Sequence, residues 1–319
     1  MRLRALSARG AGALLILTAV LGLTASPVAA RPHMSEQMSE QTEAPPEPVL
    51  DRAPGIVDFR KPIVIKGHLE RGYEGDYVAL ERRWPRENDW EAIRTKRVDE
   101  ELKVRFELEH PRSSAHYRLM WTDGQVDQAT YSDSVRIGVR ARITLHFNPS
   151  RIYSGREVKA WGSLRPFHRG RRFVLQTFAG WGWRTLAKLH APEGKFVARF
   201  RSGSPGRRAY RVLFRGDHWN APEVSSAPLY AYDPDLATWY GPGLYGNGTA
   251  CGQTLTPGTE GVAHRTLPCG TMVSVYFQGR SVTVPVIDRG PYSGAEWDLT
   301  QATAERLGFS GSQTIGTIH

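Results

Sequence analysis

The sequence predicts an all-β protein: two tandem immunoglobulin-like β-sandwich repeats, then a small C-terminal β-barrel carrying one short helix. Three observations predict it. From Ile56 to about Tyr232 the chain repeats itself at an offset of 93 to 95 residues. Within each copy apolar and polar residues alternate, as in Val104, Phe106, Leu108 and in Phe196, Ala198, Phe200, which is the period of a half-buried strand. The composition, with 32 Gly, 21 Pro, 9 Trp, 12 Tyr and 11 Phe, favours short strands and turns over long helices.

The 319 residues are too many for one small core and suggest two or three domains. With 40% hydrophobic and 23% charged residues, wholesale disorder and collagen-like structure are excluded. Two cysteines exclude a disulfide-dense scaffold and a Cys-rich zinc site.

In chain order, residues 1–30 read as a signal peptide. Arg2, Arg4 and Arg9 give a basic start, Ala11 to Leu23 is apolar, and Val28-Ala29-Ala30 supplies the small residues for cleavage after Ala30. The alternative, an uncleaved anchor, is disfavoured because 13 apolar residues fall short of the roughly 20 that span a bilayer. No later segment is apolar enough to be transmembrane. Residues 31–55 hold five acids and five prolines and read as a disordered Pro/Glu linker.

The repeats occupy residues 56–140 and 141–232. Gly67-His68-Leu69-Glu70 returns as Gly162-Ser163-Leu164-Arg165, Val78 and Leu80 as Phe173 and Leu175, Trp90 as Trp183, and Tyr117-Arg118-Leu119 as Tyr210-Arg211-Val212. Turn signals such as Arg71-Gly72, Asp123-Gly124 and Pro205-Gly206 punctuate them. The Cys–Trp–Cys signature of true immunoglobulin domains is absent.

Charge separates the repeats from the C-terminal region. Residues 56–232 carry 33 Lys plus Arg against 20 Asp plus Glu, while residues 233–319 carry 4 against 7. A net excess of this size on an exported chain suggests adhesion to anionic wall polymers. Export argues against nucleic acid. For any single Arg, decoration of a solvated strand face is the simpler explanation.

In residues 233–319 Lys disappears and short strands are legible at 271–276 and 281–286. Asp298 is a plausible N-cap for a helix over 299–307 that Gly308 ends. Cys251 and Cys269 lie 18 positions apart, and in an exported chain without other cysteines a disulfide is the expected state, a reactive nucleophile the minor alternative.

Three blocks of this region, ATWYGPGLYGNGTACGQTL, GVAHRTLPCGTMVSV and GRSVTVPVIDRGPYSGAEWDLTQATAERLGF, resemble the rare lipoprotein A (RlpA)-like family. The resemblance covers about 84 residues, with Asp288-Arg289-Gly290-Pro291 and the downstream Asp298-Leu299 as its most specific part. It implies a six-stranded double-psi β-barrel related to expansins, and a septal lytic transglycosylase that cleaves peptidoglycan glycan strands to 1,6-anhydro ends. No cofactor or metal is implied.

On this reading Asp288 is the catalytic acid, then base. A carboxylic acid must protonate the glycosidic oxygen, and Asp288 follows an apolar strand whose burial would keep a proton available. Alone, the same residue reads as a turn-forming Asp. The resemblance further implies that His264 is an active-site residue bonding Asp288 or the sugar, and that Tyr240 at the groove edge stacks on a sugar. Arg289 and Asp298 join the substrate-binding set, with Asp298 mainly a cap. Trp239 is expected in the core. Many members carry Thr-Ala-Asn/Ser-Gly-Glu where this chain has Thr249-Ala250-Cys251-Gly252-Gln253. Gln253 can bond a sugar but cannot act as an acid or base. A non-catalytic, expansin-like polysaccharide binder is therefore the alternative, and a protein-interaction module a third.

Overall fold

A computed structural model describes residues 44–123 and 128–319. The expected signal peptide, and the part of the expected linker up to residue 43, lie outside the described residues. Among those described, no helix is long and apolar enough to cross a membrane.

The first repeat forms two sheets. Strands Pro48–Arg52, Ile63–Leu69 and Lys103–Leu108 make one, and Val135–Val139, Ala115–Trp121, Tyr77–Arg83 and Glu91–Arg97 lie in that order in the other. Their inner faces close over Ile63, Ile65, Leu80, Phe106, Leu119 and Ile137, all fully buried. The alternation read from the sequence is the pleat itself: residues two apart share a face.

One expectation needs correcting. Pro48–Arg52, expected within the flexible linker, is an edge strand paired antiparallel with Ile63–Leu69, and Leu50 packs on the core. Its composition is linker-like because an edge strand tolerates proline and needs few apolar residues.

The second repeat has the same pairing order. Glu157–Arg165 pairs Lys195–Arg201 in one sheet, and Trp183–His190, Arg172–Phe178, Gly206–Phe214 and the start of Glu223–Tyr240 follow one another in the other. The repeated glycines occupy equivalent places. A Cβ on Gly67 would lie 2.3 Å from Leu119, and one on Gly162 2.0 Å from the Thr144 carbonyl, so neither strand tolerates a side chain there.

The strand Glu223–Tyr240 runs on without a break. Residues 223–231 pair with the second repeat, 233–237 with Gln313–Ile318, and 237–240 with Trp297–Thr300. From there the pairings pass through Val262–Ala263, Arg280–Asp288 and Met272–Phe277 to Gln313–Ile318 and return to the long strand. Val262, Val273, Val275, Val284, Leu299 and Ile315 fill this third core.

The helix spans Gln301–Leu307, and its N-cap is Thr300, whose hydroxyl accepts from the Thr303 amide. The expected cap, Asp298, lies inside the strand Trp297–Thr300, because residues 297–300 are held in parallel pairing with the long strand. Gly308 ends the helix with φ 69°, as expected.

Candidate active site

Strand register brings the acidic residues together. Thr238 pairs with Asp298, Asp298 with Ala263, and Ala263 with Asp288, so these four form one row across four neighbouring strands. Directly paired residues point to the same side of a sheet. Tyr240, two residues beyond Thr238, shares that side, while Ala237, Val262 and Leu299 face the core.

Asp288 reaches this face through a bulge. Val284 and Val286 point into the core, and strict alternation would send residue 288 there too. Between Val262/Val286 and Ala263/Asp288 the register shifts by one residue, which turns Asp288 outward. Bulges commonly re-aim a side chain in this way beside active sites. Ala263, the residue between the two aspartates, is small and buried.

The Asp288 carboxylate is held by the backbone. Its Oδ1 accepts from the amides of Ala250 and Arg289, both at 2.8 Å. The Ala250 amide is presented by a tight loop over 249–253, in which the Thr249 amide donates to the Gln253 carbonyl and the Cys251 amide to that of Ile287. Cys251 is disulfide-bonded to Cys269. The expected pairing is thus present, and it pins the loop that cradles Asp288. Arg289 reaches the His264 carbonyl at 3.3 Å and the Cys269 sulfur at 3.4 Å.

Two acidic neighbours complete the row. Asp298 Oδ1 accepts from the Thr238 hydroxyl at 2.8 Å. Burial, and then the charge of Asp288, push its pKa above the usual carboxylate value, against the lowering effect of that hydrogen bond. The Tyr240 hydroxyl is buried beside Asp288. Burial first, then the charges of Asp288 and Asp298, drive its pKa well upward, so it remains a proton donor.

Of the two contacts expected of His264, with Asp288 or with the sugar, its ring does not make the first. Its ring is turned away from the Asp288 carboxylate: Nε2 lies 3.1 Å from Glu296 Oε1, and Nδ1 accepts from the amides of Thr266 and Leu267. Only its backbone amide meets Asp288, at the carbonyl. Two N–H donors on Nδ1 fix the neutral tautomer protonated at Nε2. Burial lowers the ring's pKa further, with Glu296 opposing. His264 therefore holds the 264–267 loop and Glu296, and packs tilted against the Trp297 ring at 4.4 Å. Arg265 clamps the other side of Glu296 and the carbonyls of Pro291 and Ala295.

One aromatic residue departs from expectation. Tyr240 is half-buried with its hydroxyl covered, and Trp239, expected in the core, is 38% exposed although it pairs with the core-facing Leu299. Tyr292, whose ring lies beside Gly290, is exposed. Gln253 is exposed at the end of the cradle loop. Sequence reasoning missed Thr238, Glu296 and Tyr292. Thr238 was findable from its i−2 spacing to Tyr240, whereas Glu296 takes its place only through the fold. Among the described residues no group of three or more His, Cys, Asp or Glu is placed to hold a metal ion.

The comparisons with known proteins match this region. The family described as lytic transglycolase matches residues 236–319. The probable endolytic peptidoglycan transglycosylase RlpA of Synechocystis is 42% identical over 86 residues, covering 26% of this chain and 26% of that protein. Its Aquifex aeolicus counterpart is 44% identical over 89 residues, covering 27% and 38%. The endolytic peptidoglycan transglycosylase RlpA of Campylobacter jejuni is 38% identical over 82 residues, covering 25% and 30%. The chain thus spans between about a quarter and two fifths of the length of these curated relatives. An RlpA-like double-psi β-barrel is the fold these matches support for residues 236–319.

Proposed function

We propose that the C-terminal domain is a peptidoglycan lytic transglycosylase acting outside the cell membrane, with Asp288 as its acid and base. The observation that carries this reading is the row Thr238, Asp298, Ala263, Asp288, in which one carboxylate is fixed by two amides beside a second that burial holds toward its protonated form. Burial first, and the neighbouring charge of Asp288 with it, raise the pKa of Asp298 beside the acid.

A single carboxylate suffices for the chemistry. Asp288 donates a proton to the glycosidic oxygen as the bond to the anomeric carbon breaks. The sugar's own 6-hydroxyl then attacks that carbon, and its proton returns to Asp288. No water is consumed, and the product is a 1,6-anhydro end. Asp298 and the Tyr240 hydroxyl keep the proton local. Arg289, through its backbone amide, orients Asp288, and Gln253 at the end of the cradle loop contacts the sugar. His264 acts as a positioning residue through Glu296 and the 264–267 loop.

The basic repeats, which we assign to an immunoglobulin-like type from strand order, would keep the chain on an anionic wall polymer. Gln253 in the place of a glutamate favours a second reading, an expansin-like binder that uses the same groove without cleavage. Asp288→Asn separates the two: release of muropeptides from sacculi is expected to fall at least about a hundredfold, the usual loss of a general acid, with binding retained. Binding by the unaltered protein with no release would favour the second reading.

A further inference from the structure

A cleft of about 660 Å³ lies between the two repeats, lined by Arg60, Arg112, Arg142 and Arg165 with the hydroxyl-bearing Thr144 and Ser163. No carboxylate lines it. None of the four arginines forms an ion pair among the described residues. Arg142 and Arg165 are directly opposite one another in antiparallel pairing. Like charges in that position are destabilising, so the arrangement lacks a counterion that a bound anion would supply.

The cleft does not end at Arg165. On the strand Glu157–Arg165, residues 157, 159, 161, 163 and 165 share the outward face, while Val158, Ala160 and Leu164 are buried. Trp161 is 45% exposed there and carries the His146 ring stacked on it at 4.6 Å. Beyond it lies a second like-charge pair, Lys159 opposite Arg199, relieved in part by Glu157 at 3.0 Å from Arg199. Cations flank the half-exposed Trp161–His146 pair along one sheet face, contiguous with the arginine cleft. From Trp161 to Arg165 is about 13 Å along an extended strand, the scale of a polymer segment rather than of a small ion.

We propose that the arginine cleft and the Trp161 face form one binding track for a peptidoglycan strand, distinct from the Asp288 groove. Sugar rings stack on Trp161 while the carboxylates of the peptide stems meet the arginine forks, which bind carboxylate in bidentate fashion. The occupant is argued from charge complementarity and from the long strand that joins this repeat directly to the Asp288 domain, placing both on one polymer. The proposal shares with the proposed function only the premise that the chain meets peptidoglycan.

The test is retention of the full chain on purified sacculi, read in an Asp288→Asn background so that turnover plays no part. Arg142→Glu with Arg165→Glu should weaken retention about tenfold or more, the loss expected for removing charge-assisted hydrogen bonds, and should flatten its salt dependence. The pair Arg142→Lys with Arg165→Lys, which keeps charge and fold, should fall between that variant and the parent. Trp161→Ala should weaken retention at low and high salt alike. Unchanged retention in the Glu and Ala variants would overturn the track. Retention that vanishes when phosphodiester polymers are extracted from the sacculi would overturn peptidoglycan as its occupant. A chain that is retained through these residues but never cleaves sacculi would leave the track standing and remove the lytic reading.

Discussion

Asp288 is legible in the sequence as a residue, but its surroundings are not. The motif around it marks the position, yet no pattern in the chain shows that a one-residue bulge turns it from the core face to the solvent face. Nor does spacing show that Asp298 shares its row, since 288 and 298 meet only through Ala263 on a third strand. His264 falls the other way: its motif is plain, but its ring serves Glu296 and two loop amides. A test at this scale uses Asp298. Its pKa is raised in the fold, so the stability linked to it is complete below the ordinary value of 3.8 and is lost as pH rises through the raised value. Asp298→Asn keeps an acceptor for the Thr238 hydroxyl and removes that titration. The Asn variant should therefore gain in melting temperature relative to the parent at pH 7 more than at pH 4. A difference that does not change with pH would contradict the assigned environment.

Among the elements, regular strands are the most readable, because alternation along Val104–Leu108 or 196–200 needs only a core on one side. Boundaries are less so. Pro48–Arg52 looks like linker because an edge strand shares its composition, and Asp298 looks like a cap because Thr300, the true one, stands two residues on. The loop 249–253 has little local preference for the shape that presents the Ala250 amide; the Cys251–Cys269 bond holds it. Closing a loop of this size stabilises by about 3 kcal/mol in the chain-entropy model. Reduction should accordingly lower the melting temperature of the C-terminal domain and loosen the Asp288 cradle, seen as a fall in sacculus turnover. Ready alkylation of both thiols in native, unreduced protein would contradict the bond.

At the scale of the whole molecule, the repeat is visible in sequence and the junction is not. Charge and composition change near residue 233, yet the strand Glu223–Tyr240 crosses that point as one element and belongs to two cores. The joint is packed with aromatics: Tyr232 stacks on Tyr276 at 5.0 Å, and Tyr153 meets the same ring edge-on at 5.8 Å. Gly316 sits beneath them, where a Cβ would lie 2.5 Å from that of Tyr232. Gly316→Ala should cost about 1 to 3 kcal/mol, as overpacking does, measured as a lower melting temperature; an unchanged transition would mean that the joint is looser than described.

This continuity also fixes how the central claim is best tested, since cutting the chain at residue 233 would sever the strand that carries Tyr240. The intact protein is incubated with purified peptidoglycan sacculi and the released fragments are weighed by mass spectrometry, alongside Asp288→Asn. The account predicts fragments ending in 1,6-anhydro sugars, reduced at least about a hundredfold in the variant. Fragments one water heavier, release that survives Asp288→Asn, or no release from the unaltered protein would each contradict it.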